Sequence, residues 1–492
     1  MSHLPYYITL GLIIACTVIG LRLRFSNSSA PTNVAPWATS AHPLLGHLPA
    51  YSPDPVKFLT EQKALVGDVF RVNFVVMKIT VLIGAKWNRW LLAEVDEEDV
   101  SFYKMLSVLS CGLLDNPLGN ASAMAHSRKA MRIVTSEFSR KALDRYFTDW
   151  AGQPRISLFD SSSTLLFNAN LAVFFGPRFV QDHGPEMISL LQRMQKALLS
   201  PWPRILPLWA SPSGRTLKRV KERIKQLVDD EVEKRMEDVD HWSGANDYLS
   251  GLVMSNEAEG YQEHYYTEHF VTYIMAAHVN SAGTFAWTLL HLLRNPELMR
   301  AFEAEIKVNP PLSDIYPIKD MPFSEACLRE TGRLYNNLIT FRYATRDIRT
   351  SSGVVIPKGW VATSPLAVQM DPELFEEPGR WNPRRWLPSC TVKRDLYATR
   401  FRNYEFVQFG GGKHVCSGEK LTHALLRATL WPTLVDHFRL ELVEEGIVDG
   451  EGVDGVGLAP NHAESLGTAF GIREVYVRVT RRDVSLSSVG GA

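Results

Sequence analysis

Residues 409–418 read Phe-Gly-Gly-Gly-Lys-His-Val-Cys-Ser-Gly and lead directly into an apolar segment with helical character. The stretch places one cysteine, Cys416, on a glycine-rich loop ahead of a helix N-terminus. Helix dipoles and free N–H groups at such a position lower the pKa of a thiol and hold a thiolate. The loop therefore indicates a thiolate metal ligand, and the alternative is a glycine-rich turn around a buried structural cysteine. A flat ligand could approach the backbone closely at Gly410, Gly411, Gly412 and Gly418.

The composition is that of a folded protein with a substantial core. Of 492 residues, 45% are hydrophobic and 22% are charged, and the formal net charge is zero, so nothing indicates nucleic-acid binding. Five cysteines without a Cys-x-x-Cys pair favour a reducing compartment over a disulfide framework. They are Cys16, Cys111, Cys327, Cys390 and Cys416.

The N-terminal region indicates a membrane anchor. Residues 4–21 carry no charge and approach the length of about 20 residues that crosses a bilayer. Arg22 and Arg24 follow at once, which places the rest of the chain in the cytosol by the positive-inside rule. A cleaved signal peptide is the alternative, but it requires a basic start that residues 1–3 do not supply.

Three regions follow from these patterns. We predict a membrane anchor at residues 1–25 and a proline-rich connector at residues 26–55, because closely spaced prolines prevent a continuous helix. Residues 56–485 form a single catalytic domain, since no second linker or repeat interrupts them.

Helical patterns dominate the predicted domain. They cover residues 127–150 and 214–239, and residues 261–294 are apolar on most faces, which predicts a buried central helix that ends before Asn295-Pro296. Strand patterns are short, at residues 69–74, 81–83 and 474–479, and residues 353–365 resemble a hairpin. The fold class is therefore mainly α (α+β), with small peripheral β-sheets.

The motif Phe-x-x-Gly-x-His-x-Cys-x-Gly at residues 409–418 closely resembles the ligand loop of the cytochrome P450 superfamily. The resemblance implies a haem-thiolate enzyme that holds haem b (heme b, iron protoporphyrin IX) through Cys416, with Phe409 covering the sulfur. A thiolate axial ligand pushes electron density towards the iron and favours O–O cleavage.

Two further segments resemble motifs that brace this loop in the superfamily. Glu330 and Arg333 lie three residues apart and match its Glu-x-x-Arg helix, whereas residues 381–386 match its aromatic-x-Pro-x-Arg-aromatic segment. The resemblance implies that Glu330, Arg333 and Arg385 form a buried structural triad, because buried charges persist only when paired. Taken alone, the first pair is a common surface pattern. Here Trp381 and Trp386 replace the more usual phenylalanines.

The haem propionates require cationic partners. His414 matches a position that is Arg or His in the superfamily, and Arg342 matches its propionate-binding arginine. The usual Trp-x-x-x-Arg element is replaced by Ser127 and Met131, so Arg132 or His126 is expected to supply that contact, with a solvated basic face as the alternative. The nearby basic residues would suit an acidic electron-donating flavoprotein, NADPH–cytochrome P450 reductase. They are Arg128, Lys129, Lys413 and Lys420.

Residues 276–287 match the oxygen-activating helix but depart from its usual sequence. Val279 replaces the acid, and Asn280 replaces the hydroxyl residue that relays protons. This version resembles sterol 7α-hydroxylases, which are oxygenases, and prostacyclin synthase, which is an isomerase. An amide has no titratable proton near neutral pH, so we predict that Asn280 and Ser281, with a water held by a distorted helix turn, form the catalytic proton path. Alternatively, Asn280 only stabilises the widened turn.

The resemblance, together with the N-terminal anchor, implies a membrane-bound cytochrome P450 monooxygenase that hydroxylates a bulky lipophilic substrate with dioxygen and reductase-supplied electrons. A sterol-like or triterpenoid-like compound of a specialised (secondary-metabolite) pathway fits best, and the location is the endoplasmic reticulum membrane, crossed once. The alternative is a haem-thiolate isomerase or dehydratase that acts on a lipid hydroperoxide or endoperoxide without a reductase. A haem-binding sensor fits least. Analogy places the largely apolar pocket walls at residues 104–118, 336–341 and 465–470 and near Ala276.

Overall fold

The computed structural model describes most of the domain. The residues described are 33–74, 77–113, 137–200, 202–256, 264–308, 321–335, 340–364, 366–388, 400–443, 460–461, 470–471 and 474–482. Of the sequence-based predictions, the anchor, Arg132 with its neighbours, and most of the pocket walls at residues 114–118, 336–339 and 465–469 lie outside this part of the chain.

Helices form most of the structure and follow one another with short connections. In chain order they are α1 Leu48–Tyr51, α2 Pro55–Val66, α3 Ala85–Arg89, α4 Phe102–Leu109, α5 Glu137–Ala151, α6 Leu158–Phe175, α7 Pro177–Leu199, α8 Trp202–Ile205, α9 Pro212–Glu237, α10 Val239–Ser243, α11 Tyr248–Asn256, α12 His264–Arg294, α13 Pro296–Val308, α14 Pro322–Tyr335, α15 Glu419–His423 and α16 Trp431–His437. Helix α3 continues as a π-helical turn, Trp90–Glu94, and α15 as another, Ala424–Leu430.

The strands form small sheets at the margins of the helical body. In chain order they are β1 Val69–Phe74, β2 Met77–Leu82, β3 Val100–Ser101, β4 Ile156–Ser157, β5 Arg342–Ala344, β6 Ile348–Arg349, β7 Val355–Ile356, β8 Val361–Thr363, β9 Phe438–Val443, β10 Pro460–Asn461, β11 Phe470–Gly471 and β12 Tyr476–Arg481. The sheet orders are β1-β2-β8-β5-β3, β4-β12-β9, β6-β7 and β10-β11.

The predicted hairpin at residues 353–365 is wrong. Its two strands, β7 and β8, belong to different sheets: β7 pairs with β6, whereas β8 pairs with β2 and β5. The Val-Val-Ile-Pro-Lys-Gly pattern correctly marks two strands and a turn. The partner of each strand is set by packing elsewhere in the chain, which a local pattern does not contain.

Helix α12 is the central helix, and it packs against α6 and α14. Phe285, Trp287 and Leu290 are fully buried on it, which explains why the sequence is apolar on nearly every face. The helix ends at Arg294, and α13 begins at Pro296, as the Asn-Pro pair predicts. Helix α12 thereby supplies a long rigid element through the middle of the domain.

Part of the predicted connector packs on the domain. The backbone of Arg71 in β1 exchanges hydrogen bonds with Pro36 and Ala38, and the Arg71 guanidinium lies 4.3 Å from the ring centroid of Trp37. Within the described ranges, none of the helices combines the length and the apolar character needed to cross a membrane.

Candidate functional site

The Cys416 loop is held by close backbone packing. The Cys416 N–H donates to the Phe409 carbonyl at 2.8 Å, and Phe409 itself is buried. Gly412 has a φ of +61°, and a Cβ placed there would lie 1.8 Å from the carbonyl oxygen of Leu92 in the π-helical turn after α3. Glycine is therefore required at position 412 by a protein contact, independently of any ligand.

The Cys416 side chain is accessible at its surface although protein packs densely around it. The sulfur is therefore surrounded by protein without being covered by it. Desolvation raises the pKa of the Cys416 thiol, and the N–H groups of Gly418 and Glu419, which donate to the sulfur, oppose the rise without reversing it. The N–H donors thus lower the pKa as the loop predicts, but desolvation outweighs them, so the pKa of the thiol lies above its usual value. Bound iron would supply the positive charge that favours the thiolate.

Glu330 and Arg333 lie on α14 and are fully buried. The Arg333 Nε and Nη2 atoms donate to the two Glu330 oxygens at 3.0 and 2.9 Å, and Arg385 Nε donates to Oε1 at 2.9 Å. Burial alone would raise the pKa of Glu330, but the hydrogen bond and charge of Arg333, with the charge of Arg385, hold it below the usual value. The structure thus brings the three predicted triad residues together in the interior.

The segment after α14 completes the hydrogen bonding of Glu330. The Asn382 N–H and the Trp386 indole N–H each donate to the carboxylate at 2.9 Å. A phenylalanine has no donor, so Trp386 adds a contact that the more usual residue does not make. Similarly, the Trp381 indole donates to Thr331 at 3.0 Å and its ring stacks on His291.

Two buried glutamines connect the triad to the cysteine loop. Gln369 accepts from the Val407 N–H at 3.0 Å and donates to the Arg333 carbonyl at 3.2 Å. Gln408 donates to the Leu328 carbonyl at 3.2 Å, and its side chain occupies the space that a Cβ on Gly332 would fill. The sequence analysis did not identify either glutamine, because neither belongs to a recognisable motif.

Arg342 and His414, the two predicted propionate ligands in the described ranges, lie in one cluster. Burial lowers the pKa of Arg342 to about 10, and its one hydrogen bond in the described structure goes to the Phe341 carbonyl, at 3.0 Å. His414 Nε2 pairs with Glu97 at 2.7 Å, while its buried Nδ1 has no partner among the described residues. Phe102 lies between the two, 4.9 Å from the guanidinium and 4.8 Å from the imidazole ring.

The central helix presents Asn280 on an accessible face. Ala276 and Asn280, one turn apart, are at least partly exposed, whereas Val279 and Ser281 are buried. The Asn280 amide donates to the Ala276 carbonyl at 2.9 Å, and Ser281 donates to the Ala277 carbonyl. Helix α12 is α-helical throughout this region, so the expected widened turn is wrong. Thr284, which the sequence analysis did not single out, donates to the Asn280 carbonyl at 2.8 Å.

His278 points to the other side of the same helix. Its ring stacks on Phe167 of α6 and its Nε2 lies 3.2 Å from the Ser163 hydroxyl. Burial lowers the pKa of His278 to about 3, so the imidazole is neutral. His278 therefore stabilises the packing of α12 on α6.

These features fit a flat, dianionic cofactor with a thiolate ligand. The buried Arg342 guanidinium supplies a positive charge, His414 Nδ1 is buried without a partner among the described residues, and the Cys416 thiol is accessible. The fold and the site thus define a haem-thiolate enzyme. The profile of the Cytochrome P450 family matches residues 36–463, and the chain belongs to this family.

Relatives extend the match along most of the chain. The cytochrome P450 monooxygenase pyvB of Aspergillus violaceofuscus is 26% identical and aligns over 91% of each chain. The sterol 14-demethylase of Arabidopsis thaliana is 25% identical over 88% of this chain and 92% of its own length. The solved structure of retinoic acid-bound cyanobacterial CYP120A1 superposes with a TM-score of 0.73 at 16% identity, over 92% of this chain and 100% of its own.

The chain is therefore a haem-thiolate monooxygenase that binds haem b, takes electrons from a redox partner and acts on lipophilic substrates. When bound, haem supplies the oxygen-activating chemistry. Cys416 would hold the iron, and Arg342 and His414 would hold the propionates.

We predict that Arg333→Ala abolishes haem incorporation. The substitution removes the guanidinium that pairs with the buried Glu330 charge, which lowers the free energy of unfolding by about 3–5 kcal/mol. The matched control is Arg380→Ala, which breaks an exposed i,i+3 pair with Glu377 worth about 0–1 kcal/mol. Haem content and the carbon monoxide difference spectrum measure the outcome, and normal haem content in Arg333→Ala would contradict a bracing role.

Proposed function

We propose that this protein is a membrane-bound monooxygenase that hydroxylates a bulky, sterol-like or triterpenoid-like substrate in a specialised biosynthetic pathway. The observation that carries the proposal is the accessible Ala276–Asn280 face on a helix whose following residues, 281–292, are buried. An alanine and an amide on that face offer a substrate apolar surface with one neutral polar group, which suits a large lipid with few polar handles. The similarity to sterol 14-demethylases supports a substrate of this size.

In this proposal the chain's own residues position the substrate and deliver protons. The Asn280 amide is partly exposed and can exchange its bond to the Ala276 carbonyl for a bond to a water molecule. Ser281 is bonded to its own helix on the buried side, so Asn280 is the better placed of the two predicted catalytic residues. Water held at Asn280 Nδ2 and Oδ1 would then supply the protons that dioxygen activation consumes.

The functional assay uses full-length protein reconstituted with NADPH–cytochrome P450 reductase. We expect sterols or triterpenoids to displace water from the haem, seen as a spectral shift, and to yield hydroxylated product only with NADPH and reductase. Cys416→Ala is the inactive control. Turnover of a lipid hydroperoxide without reductase would instead support an isomerase, and binding of only small or charged compounds would exclude the proposed substrate class.

We predict that Asn280→Ala retains haem and substrate binding but forms less product per NADPH as released hydrogen peroxide rises. Asn280→Thr should restore part of this coupling, because a hydroxyl both donates and accepts. Thr216→Ala is the matched control, since Thr216 donates to the Pro212 carbonyl one turn earlier, at 2.9 Å, on a different helix, α9. Full coupling in Asn280→Ala would show that Asn280 is structural.

We also propose that the protein is anchored in the endoplasmic reticulum membrane with its catalytic domain in the cytosol. Trp202 and Trp209 support membrane contact, because they lie close together in sequence around α8 and are 53% and 70% exposed. Tryptophan is favoured at membrane–water interfaces. Lys413 and Lys420 are exposed next to the Cys416 loop, where an acidic reductase surface would dock.

Deleting residues 1–30 should release protein that still binds haem, with some residual affinity for lipid vesicles. Trp202→Ser and Trp209→Ser should reduce that residual binding in a vesicle sedimentation assay, whereas Val308→Ser, at a more exposed apolar site at the end of α13, should not. Protection of the whole domain from protease in intact microsomes would contradict the topology.

A further inference from the structure

We propose that Glu97 is a positioning residue that couples haem binding to the order of helix α4. Glu97 lies in the connection between the π-helical turn after α3 and strand β3, and the sequence analysis did not single it out. The inference rests on the proposed roles of Arg342 and His414 as propionate ligands.

The two oxygens of Glu97 serve different partners. Oε1 accepts from the N–H of Phe102 at 2.6 Å and from the Ser101 hydroxyl at 3.0 Å, which satisfies free donors at the N-terminus of α4. Oε2 lies 2.7 Å from Nε2 of His414 in the Cys416 loop. One carboxylate therefore joins the first turn of α4 to the loop that carries the iron ligand.

The contacts of Glu97 also fix how the imidazole is oriented. The ring packs against Phe102 and Tyr103, and Nε2 is held by Glu97, so the buried Nδ1 is the ring nitrogen that faces a propionate. As an imidazolium, His414 would donate from Nε2 to Glu97 and from Nδ1 to the propionate. Phe102 is at once the first residue of α4 and the ring beneath the Arg342 guanidinium. A propionate that binds Arg342 and His414 would therefore constrain side chains that contact the first residues of α4.

Coupling follows from this shared set of contacts. Bound haem would limit the side-chain motion of His414 and Arg342. Because Glu97 and Phe102 contact these side chains, the first turn of α4 would then become more ordered. Residues of α4 belong to the predicted wall of the substrate pocket, so an empty haem site leaves that wall less ordered. The site would then bind substrate well only after haem is in place.

The test compares full-length Glu97→Ala and Glu97→Gln with Glu98→Ala. Glu98 is the exposed neighbour of the same charge, and its carboxylate makes no hydrogen bond within the described structure. We expect haem to transfer to apomyoglobin about tenfold faster from Glu97→Ala, the change expected for loss of a hydrogen bond to a charged group. Glu98→Ala should match the wild type.

Hydrogen exchange at the Phe102 and Tyr103 amides gives a readout independent of activity. Haem should increase protection of these amides in the wild type and not in Glu97→Ala. Glu97→Gln keeps an acceptor for the helix but loses the charge facing His414, so it should preserve helix protection while releasing haem faster. It also serves as the informative variant if Glu97→Ala fails to fold.

Unchanged haem release in both Glu97 variants, or haem-dependent protection that persists in Glu97→Ala, would overturn the inference. Arg342→Ala and His414→Ala separate this failure from that of the propionate assignment. If they release haem faster while the Glu97 variants do not, only the role of Glu97 fails. If Arg342→Ala and His414→Ala retain haem normally, both the propionate assignment and the role of Glu97 fail. A combined Glu97→Ala/His414→Ala variant should release haem no faster than His414→Ala alone.

Discussion

The Glu330 carboxylate is the constraint on which the rest of the site depends. It is fully buried, and donors converge on it from three arginine nitrogens, one backbone amide and one indole. Those donors come from α14 and from residues 382–386, so the carboxylate fixes two distant segments against each other. Gln369 and Gln408 then connect α14 to the cysteine loop. The buried Glu330 charge is tolerated because its oxygens are fully hydrogen-bonded.

Tryptophan in place of the more usual phenylalanine at positions 381 and 386 adds hydrogen-bond donors to this region. Each indole places a donor where phenylalanine offers only carbon, and the structure uses both donors. Trp381 also stacks on His291 of the central helix at 4.7 Å between ring centroids. The contacts that support the cysteine loop therefore extend to α12, the helix that carries Asn280.

Predictions from sequence succeeded where the determinants are local or belong to a recognised motif. The central helix and its end at Asn295-Pro296 depend on side chains within a few turns, and the structure brings Glu330, Arg333 and Arg385 together as their motifs suggest. Three features depended on distant parts of the chain and were missed or wrong. Strands β7 and β8 pair with β6 and with β2 and β5, and not with each other. Glu97 meets a histidine 317 positions away. The Cys416 thiol is governed by desolvation, which only the assembled tertiary structure produces.

The chain order of the Glu330 contacts also constrains when the site can form during synthesis. Glu330 and Arg333 leave the ribosome well before residues 382–386, and the Phe409–Cys416 backbone contact comes later still. Until the last quarter of the chain is available, the carboxylate lacks the donors that residues 382–386 supply, although α14 can already pack on α12. Contacts with such wide sequence separation form slowly. The nascent protein therefore exposes an incompletely packed core late in its synthesis, when chaperone binding and the supply of haem would determine how much of it reaches the native state.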